Sequence, residues 1–221
     1  LGQERRVIAE ADKRGITLPQ LFKLIHFIAS HADEGGNLQG WWDRRNKKPL
    51  HKDTITLYAV ADWIIKPFTA KEACSFVELV VDEGTTEQRP QWFISHWWGE
   101  AVRDFILAVE AHAKARGLEA SAAYWVCACA NNQHELGAID APPRETPFYK
   151  AMLHATGVLL ILDANATAFT RIWCAFEESV AFLSKQADSS ALMSRIRNNT
   201  LFDIAAVENG RADLLTDGPV P

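Results

Sequence analysis

The stretch Gly157–Leu183, GVLLILDANATAFTRIWCAFEESVAFL, limits the fold more than any other part of the chain. Its first seven residues are too apolar for a strand with one wet face, and their length suits a parallel strand covered on both sides. A polar loop follows, and then a helix expected to open near Trp173. At helical spacing, Phe176, Val180 and Leu183 form a buried stripe, Glu177 sits on its edge, and Glu178 is expected to face water. A carboxylate on the inner edge of the first turn after a buried strand is costly unless something uses it. Glu177 is the side chain a functional reading has to explain.

The same alternation begins at Pro90. Gln91–His96 reads as a short buried strand and Glu100–Arg116 as a helix with Val102, Phe105, Ile106 and Val109 on one face. Ala123–Ala130 reads as a second strand, which would put Cys127 and Cys129 on the same side. A polar loop, Asn131–Thr146, leads to a short helix over Pro147–Ala155 and then to the stretch above. After a polar stretch beyond Lys185, Asn209-Gly210 stands between the apolar runs 201–207 and 211–215, a hairpin signal expected at the sheet edge. Strands alternating with helices imply an α/β fold with a parallel sheet and right-handed crossovers.

Residues 1–88 read as a mainly helical N-terminal region, and 89–221 as the α/β domain. Glu4–Arg14 is expected to be a short charged helix. Thr17-Leu-Pro-Gln20 is a capping box that opens a helix with Leu21, Leu24, Ile25 and Ile28 on its inner face. Residues 33–53 read as a Gly-rich, charged surface loop in which Trp41 and Trp42 need an anchor, and these two are candidates for a lid. Residues 54–65 read as helix, and Thr69…Glu72 as a second capping box for a helix ending before Gly84. The chain starts at Leu1 and stops at Pro221, so we expect a piece of a longer protein, with the last domain cut short.

The chain has 221 residues, 48% of them hydrophobic, and a formal charge of −5. That balance argues against a general binder of nucleic-acid backbone, and the apolar runs are too short to span a bilayer. The four cysteines lack CxxC spacing, so reduced thiols, no structural metal and a cytoplasmic setting are expected. There is no G-x-G-x-x-G, no G-x-x-x-x-G-K-[ST] and no G-x-S-x-G. A Rossmann dehydrogenase, a P-loop phosphohydrolase and an α/β-hydrolase are thereby disfavoured.

In open α/β sheets ligands bind beyond the carboxyl ends of the strands, where strand order reverses. For a 2-1-3-4 order the first and third strands meet there. They would bring Ser95, His96, Trp97 and Trp98 against Asp163, Trp173, Cys174 and Glu177. Such an aromatic, acidic crevice suits a flat cationic ring.

These two stretches resemble those of Toll/interleukin-1 receptor (TIR) domains. WFISHWWGE is similar to the family's first box. GVLLILDANATAFTRIWCAFEE is similar to its third strand and the S-x-W-C-x-x-E turn, with Trp173, Cys174 and Glu177 in register. The chain also resembles a protist and algal TIR-like group carrying SHWWGE and YWVC-x-x-ANNQ. The resemblance covers roughly residues 90–185. It departs from the family at the second-box loop, where Arg144 beside Pro143 is a loose echo, and at the serine, replaced by Arg171-Ile172. It implies a flavodoxin-like fold, homotypic contacts, a role in immune signalling, and cleavage of NAD at the nicotinamide–ribose bond, with NAD as substrate rather than cofactor. It also implies Glu177 as the catalytic carboxylate. The alternatives are a non-enzymatic TIR-like assembly module and an enzyme like the nucleoside deoxyribosyltransferases. The plain alternatives for the residues are a Glu177 that only complements the helix dipole and a His96 satisfied by loop backbone.

Overall fold

The computed structural model describes residues 5–135, 137, 141–183 and 200–218, with backbone only at Trp173 and 181–183. Four parallel strands form the centre of the molecule: β4 (Trp92–His96), β5 (Ala123–Trp125), β6 (Gly157–Leu162) and β7 (Leu201–Glu208). They lie in the order β5-β4-β6-β7, flanked by β1 (Ile16–Thr17) antiparallel to β5 and β8 (Arg211–Leu215) antiparallel to β7. A separate antiparallel pair, β2 (Asn37–Trp42) with β3 (Pro49–His51), stands outside this sheet.

Side chains alternate between two buried faces along the central strands, as the pleat requires. Trp92, Ile94, Leu159, Ile161 and Tyr124 enter one apolar cluster with α1 (Leu18–Ser30) and α5 (Val102–Ala115). Phe93, Val158, Leu160 and Trp125 enter a second cluster with α7 (Pro147–His154) and α8 (Ile172–Leu183). Both faces are therefore covered, which is why these strands carry unbroken apolar runs. Ile8, Leu50, Ile55, Val60, Ile64 and Phe76, all from the first 88 residues, belong to the first cluster.

The capping box at Thr17 is present in both directions. The Gln20 side chain accepts from the Thr17 N–H at 2.9 Å, and Thr17 Oγ1 accepts from the Gln20 N–H at 3.4 Å. Asn209 and Gly210 both have positive φ, 52° and 74°, as a type I′ hairpin demands. That hairpin includes a strand inside the sheet, since β7 pairs with β6 along its length.

Several elements differ from expectation. Residues 5–10 are irregular, and Ala11–Lys13 is a single 3-10 turn leading into β1. Glu78 attracts this segment instead: its carboxylate accepts from the Ile8 N–H and pairs with Arg5 and Arg14. Residues 33–53 contain the β2–β3 hairpin. Leu57–Thr69 is one helical run, α2 (Leu57–Val60), a π-helical stretch Ala61–Ile65 and α3 (Lys66–Thr69). Thr69 closes this run, its hydroxyl donating to the Ile65 carbonyl, so it opens no helix. The helix that follows, α4, is one turn, Val77–Val80. The strand expected over 123–130 ends at Trp125, and α6 (Cys127–Ala130) replaces its second half. The polar stretch after Lys185 lies outside the described residues.

Candidate functional site

The order β5-β4-β6-β7 reverses direction between β4 and β6, so the chain ends leaving these two strands border one crevice. From β4 come Ser95, His96, Trp97 and Trp98. From α8, which follows β6, come Cys174 and Glu177. Tyr58, Cys127, Phe148 and Arg171 join His96, Trp97, Trp98, Cys174 and Glu177 around a pocket of about 260 Å³.

Glu177 is 5% exposed. Burial raises its pKa to about 8; the Ser95 hydroxyl pulls it down and neighbouring Glu178 pushes it further up. Among the described residues no cation contributes to that balance, so the carboxyl is mainly protonated at neutral pH. Ser95 Oγ lies close enough to Cys174 and Glu177 to lower both pKa values. It nevertheless makes no hydrogen bond of regular geometry. Burial pushes the Cys174 thiol up to about 12, and its Sγ lies 3.6 Å from the His96 carbonyl. Cys127 is also raised by burial and accepts from Trp98 Nε1 at 2.9 Å. Both thiols are neutral groups, unsuited to nucleophilic attack.

His96 is buried, with Nδ1 3.2 Å from Glu100 Oε1 and its ring against Phe105 at 4.7 Å. Its Nε2 is buried without a hydrogen-bond partner. Burial raises the Glu100 pKa, offset in part by the hydrogen bond with His96. Trp97 folds back over Gly99, where a Cβ would come within 2.2 Å of the indole ring. Any larger residue at position 99 would displace Trp97 from the pocket rim.

Two candidates stand elsewhere. Asp163 holds its own loop, accepting from the Thr167 N–H at 2.6 Å and the Thr167 hydroxyl at 2.8 Å. Arg144 is exposed in the 3-10 turn Pro143–Glu145. The Trp173 side chain and Leu183 lie outside the described side chains. Glu178, expected in water, is 9% exposed with Oε1 unpartnered, and burial raises its pKa.

Four lining residues were missed. Tyr58 arrives from the N-terminal region, fixed where its N–H donates to the Trp98 carbonyl at 3.3 Å and its ring lies 5.6 Å from that of Trp98. The Arg45 guanidinium covers Tyr58 at 3.8 Å. Arg171 could have been found, since it stands where the resemblance calls for serine. Phe148 and Cys127 carried no signal beyond apolarity.

Among the described residues no cluster of His, Cys, Asp or Glu suits a metal ion, and no helix is long and apolar enough to cross a membrane. Comparison with protein-family models, curated proteins and solved structures found no match.

Proposed function

We propose that this chain is a TIR-like protein of flavodoxin-like fold that cleaves the nicotinamide–ribose bond of NAD+ or a related nucleotide. The observation that carries the reading is Glu177: a buried carboxyl with no cation among the described residues contributing to its pKa, facing an aromatic pocket where the strand order reverses. Such a group is held for a charge that arrives from outside.

The nicotinamide ring of NAD+ carries that charge. At about 260 Å³ the pocket falls just below the ~300–1,000 Å³ usual for whole small-molecule ligands. It therefore takes the nicotinamide riboside end and leaves the rest of the nucleotide outside. Entry of the cation among Trp97, Trp98 and Tyr58 draws the proton from Glu177. As the C1′–N bond breaks, its electron pair stays on the ring nitrogen and nicotinamide leaves neutral, needing no general acid. The ionised Glu177 stabilises the oxocarbenium-like ribose, and water adds at C1′ and releases a proton. His96 and Ser95 lie on the ribose side. Arg171 at the rim suits the phosphates.

The test is to incubate concentrated protein with NAD+ and follow nicotinamide by chromatography. Glu177→Gln is expected to lower release by roughly a hundredfold or more, while exposed Glu119→Gln leaves it unchanged. Absence of turnover with NAD+, NADP+ and nucleosides, under conditions where the chain self-associates, would overturn the enzyme. One observation favours the assembly-module reading in that event. Phe169 and Ile172, in the turn entering α8, are 52% and 80% exposed, an apolar surface suited to homotypic contact. Turnover of nucleosides alone would point to deoxyribosyl transfer.

A further inference from the structure

The β2–β3 hairpin is unused by the proposed chemistry, and its composition runs against that of the whole chain. In a protein of net charge −5, residues 44–48 read Arg-Arg-Asn-Lys-Lys. All five are exposed, and so is Trp42 at 46%. Asp43 builds the tip: its carboxylate accepts from the Arg45 N–H, its carbonyl from the Lys47 N–H, and its own N–H donates to Lys48. Lys47 takes left-handed backbone, φ 61°, a conformation that disfavours any side chain by about 1 kcal/mol or more. Arg45 is engaged with Tyr58 and lies 3.8 Å from Asp62. Among the described residues Arg44, Lys47 and Lys48 form no ion pair.

Beneath the cations lies an aromatic stack that fixes the hairpin to the body. Trp41 stacks on Trp63 at 5.5 Å and 6°, with His31 at 5.7 Å. Trp42 meets Trp63 edge-on at 4.9 Å, and Trp63 Nε1 donates to the Trp42 carbonyl at 2.9 Å. Arg44 lies over the Trp63 ring at 5.7 Å.

We propose that this hairpin tip docks the protein on an anionic lipid surface, with Arg44, Lys47 and Lys48 on lipid phosphates and the Trp42 indole at headgroup level. Lys and Arg gather at negatively charged leaflets, and Trp favours the boundary between water and hydrocarbon. A nucleic-acid strand fits less well. Strand binding needs a groove with open ring faces for successive bases, whereas Trp41 and Trp63 stack on each other with His31 and Arg44 against them.

The experiment is co-sedimentation of the full chain with vesicles containing about one-third phosphatidylserine, beside pure phosphatidylcholine vesicles. Binding to the anionic vesicles alone, weakening as salt rises, is expected. Lys47→Ala with Lys48→Ala should weaken it about 25-fold, at roughly fivefold per cation. Trp42→Ala should weaken it while leaving the far-ultraviolet circular dichroism, which reports the backbone, unchanged. Equal binding to both vesicle types, no binding to either, or full binding by the double-lysine variant would each overturn the proposal. So would tight binding of a single-stranded oligonucleotide that anionic vesicles fail to displace.

Discussion

Two carboxylates in this molecule are almost equally hidden from water and have opposite electrostatics. Asp203, on β7, is fully buried, yet its pKa falls to about 2. Burial alone would raise it. Hydrogen bonds from His112 at 3.0 Å, Arg116 at 2.7 Å and the Asp217 N–H at 2.8 Å more than offset that. His112 donates from Nε2 and accepts the Tyr124 hydroxyl at Nδ1, a tautomer assigned from its partners. Among the described residues Glu177 has only the Ser95 hydroxyl to lower it, and it rises to about 8. Burial alone does not set a carboxyl's charge; the donors built around it do. Asp203 has its donors in place and ties β7 to α5, whereas in the function we propose Glu177 gains a positive partner only when the ring enters.

The largest effect that would test this contrast is Asp203→Asn. It leaves Arg116 facing a neutral amide in a buried site and should cost about 3–5 kcal/mol in urea unfolding. Near-neutral unfolding of that variant would break the comparison. Glu177→Gln should act in the opposite sense and depend on pH. The Glu177 pKa is raised in the fold, so its contribution to stability is full below the ordinary carboxylate value and is lost as pH rises through about 8. The variant should match the parent at pH ~4 and exceed it by a few kcal/mol, order of magnitude, at pH ~9. Asp203 behaves inversely: its contribution is full above the ordinary carboxylate value and is lost as pH falls through about 2.

A smaller change, Thr17→Ala, should cost about 1 kcal/mol at every pH by removing the α1 cap, which provides a baseline without titration. The smallest is Ser95→Ala. It removes the polar group that, among the described residues, lowers the Glu177 pKa, so the midpoint of the carboxyl titration by NMR should rise by less than about one pH unit.

Much of the sheet was legible because β4 and β6 are covered on both faces and must be apolar throughout. The meeting of Ser95–Trp98 with Cys174 and Glu177 needed a 2-1-3-4 strand order besides the alternation, and the observed order β5-β4-β6-β7 meets that condition. Elsewhere the local pattern was outvoted. Cys127–Ala130 is as apolar as a strand, but its residues close a helical turn in the crowded core and the apolar run carried no period to show it. Glu178 falls on the outer side of α8 by helical phase, yet it is buried. Tyr58 sits in a stretch without chemical signal and reaches the pocket through tertiary packing. The Gly-rich composition of 33–53 concealed a hairpin held by Trp63, which lies outside that segment.

In the function we propose, Glu177 gives up a proton when a cationic ring enters. Calorimetric binding of an uncleavable carbocyclic NAD+ analogue at pH ~7, in buffers of different ionisation enthalpy, counts that proton directly. Release approaching one proton per bound analogue is expected, and none for Glu177→Gln. Binding by the parent protein with no proton released would contradict it.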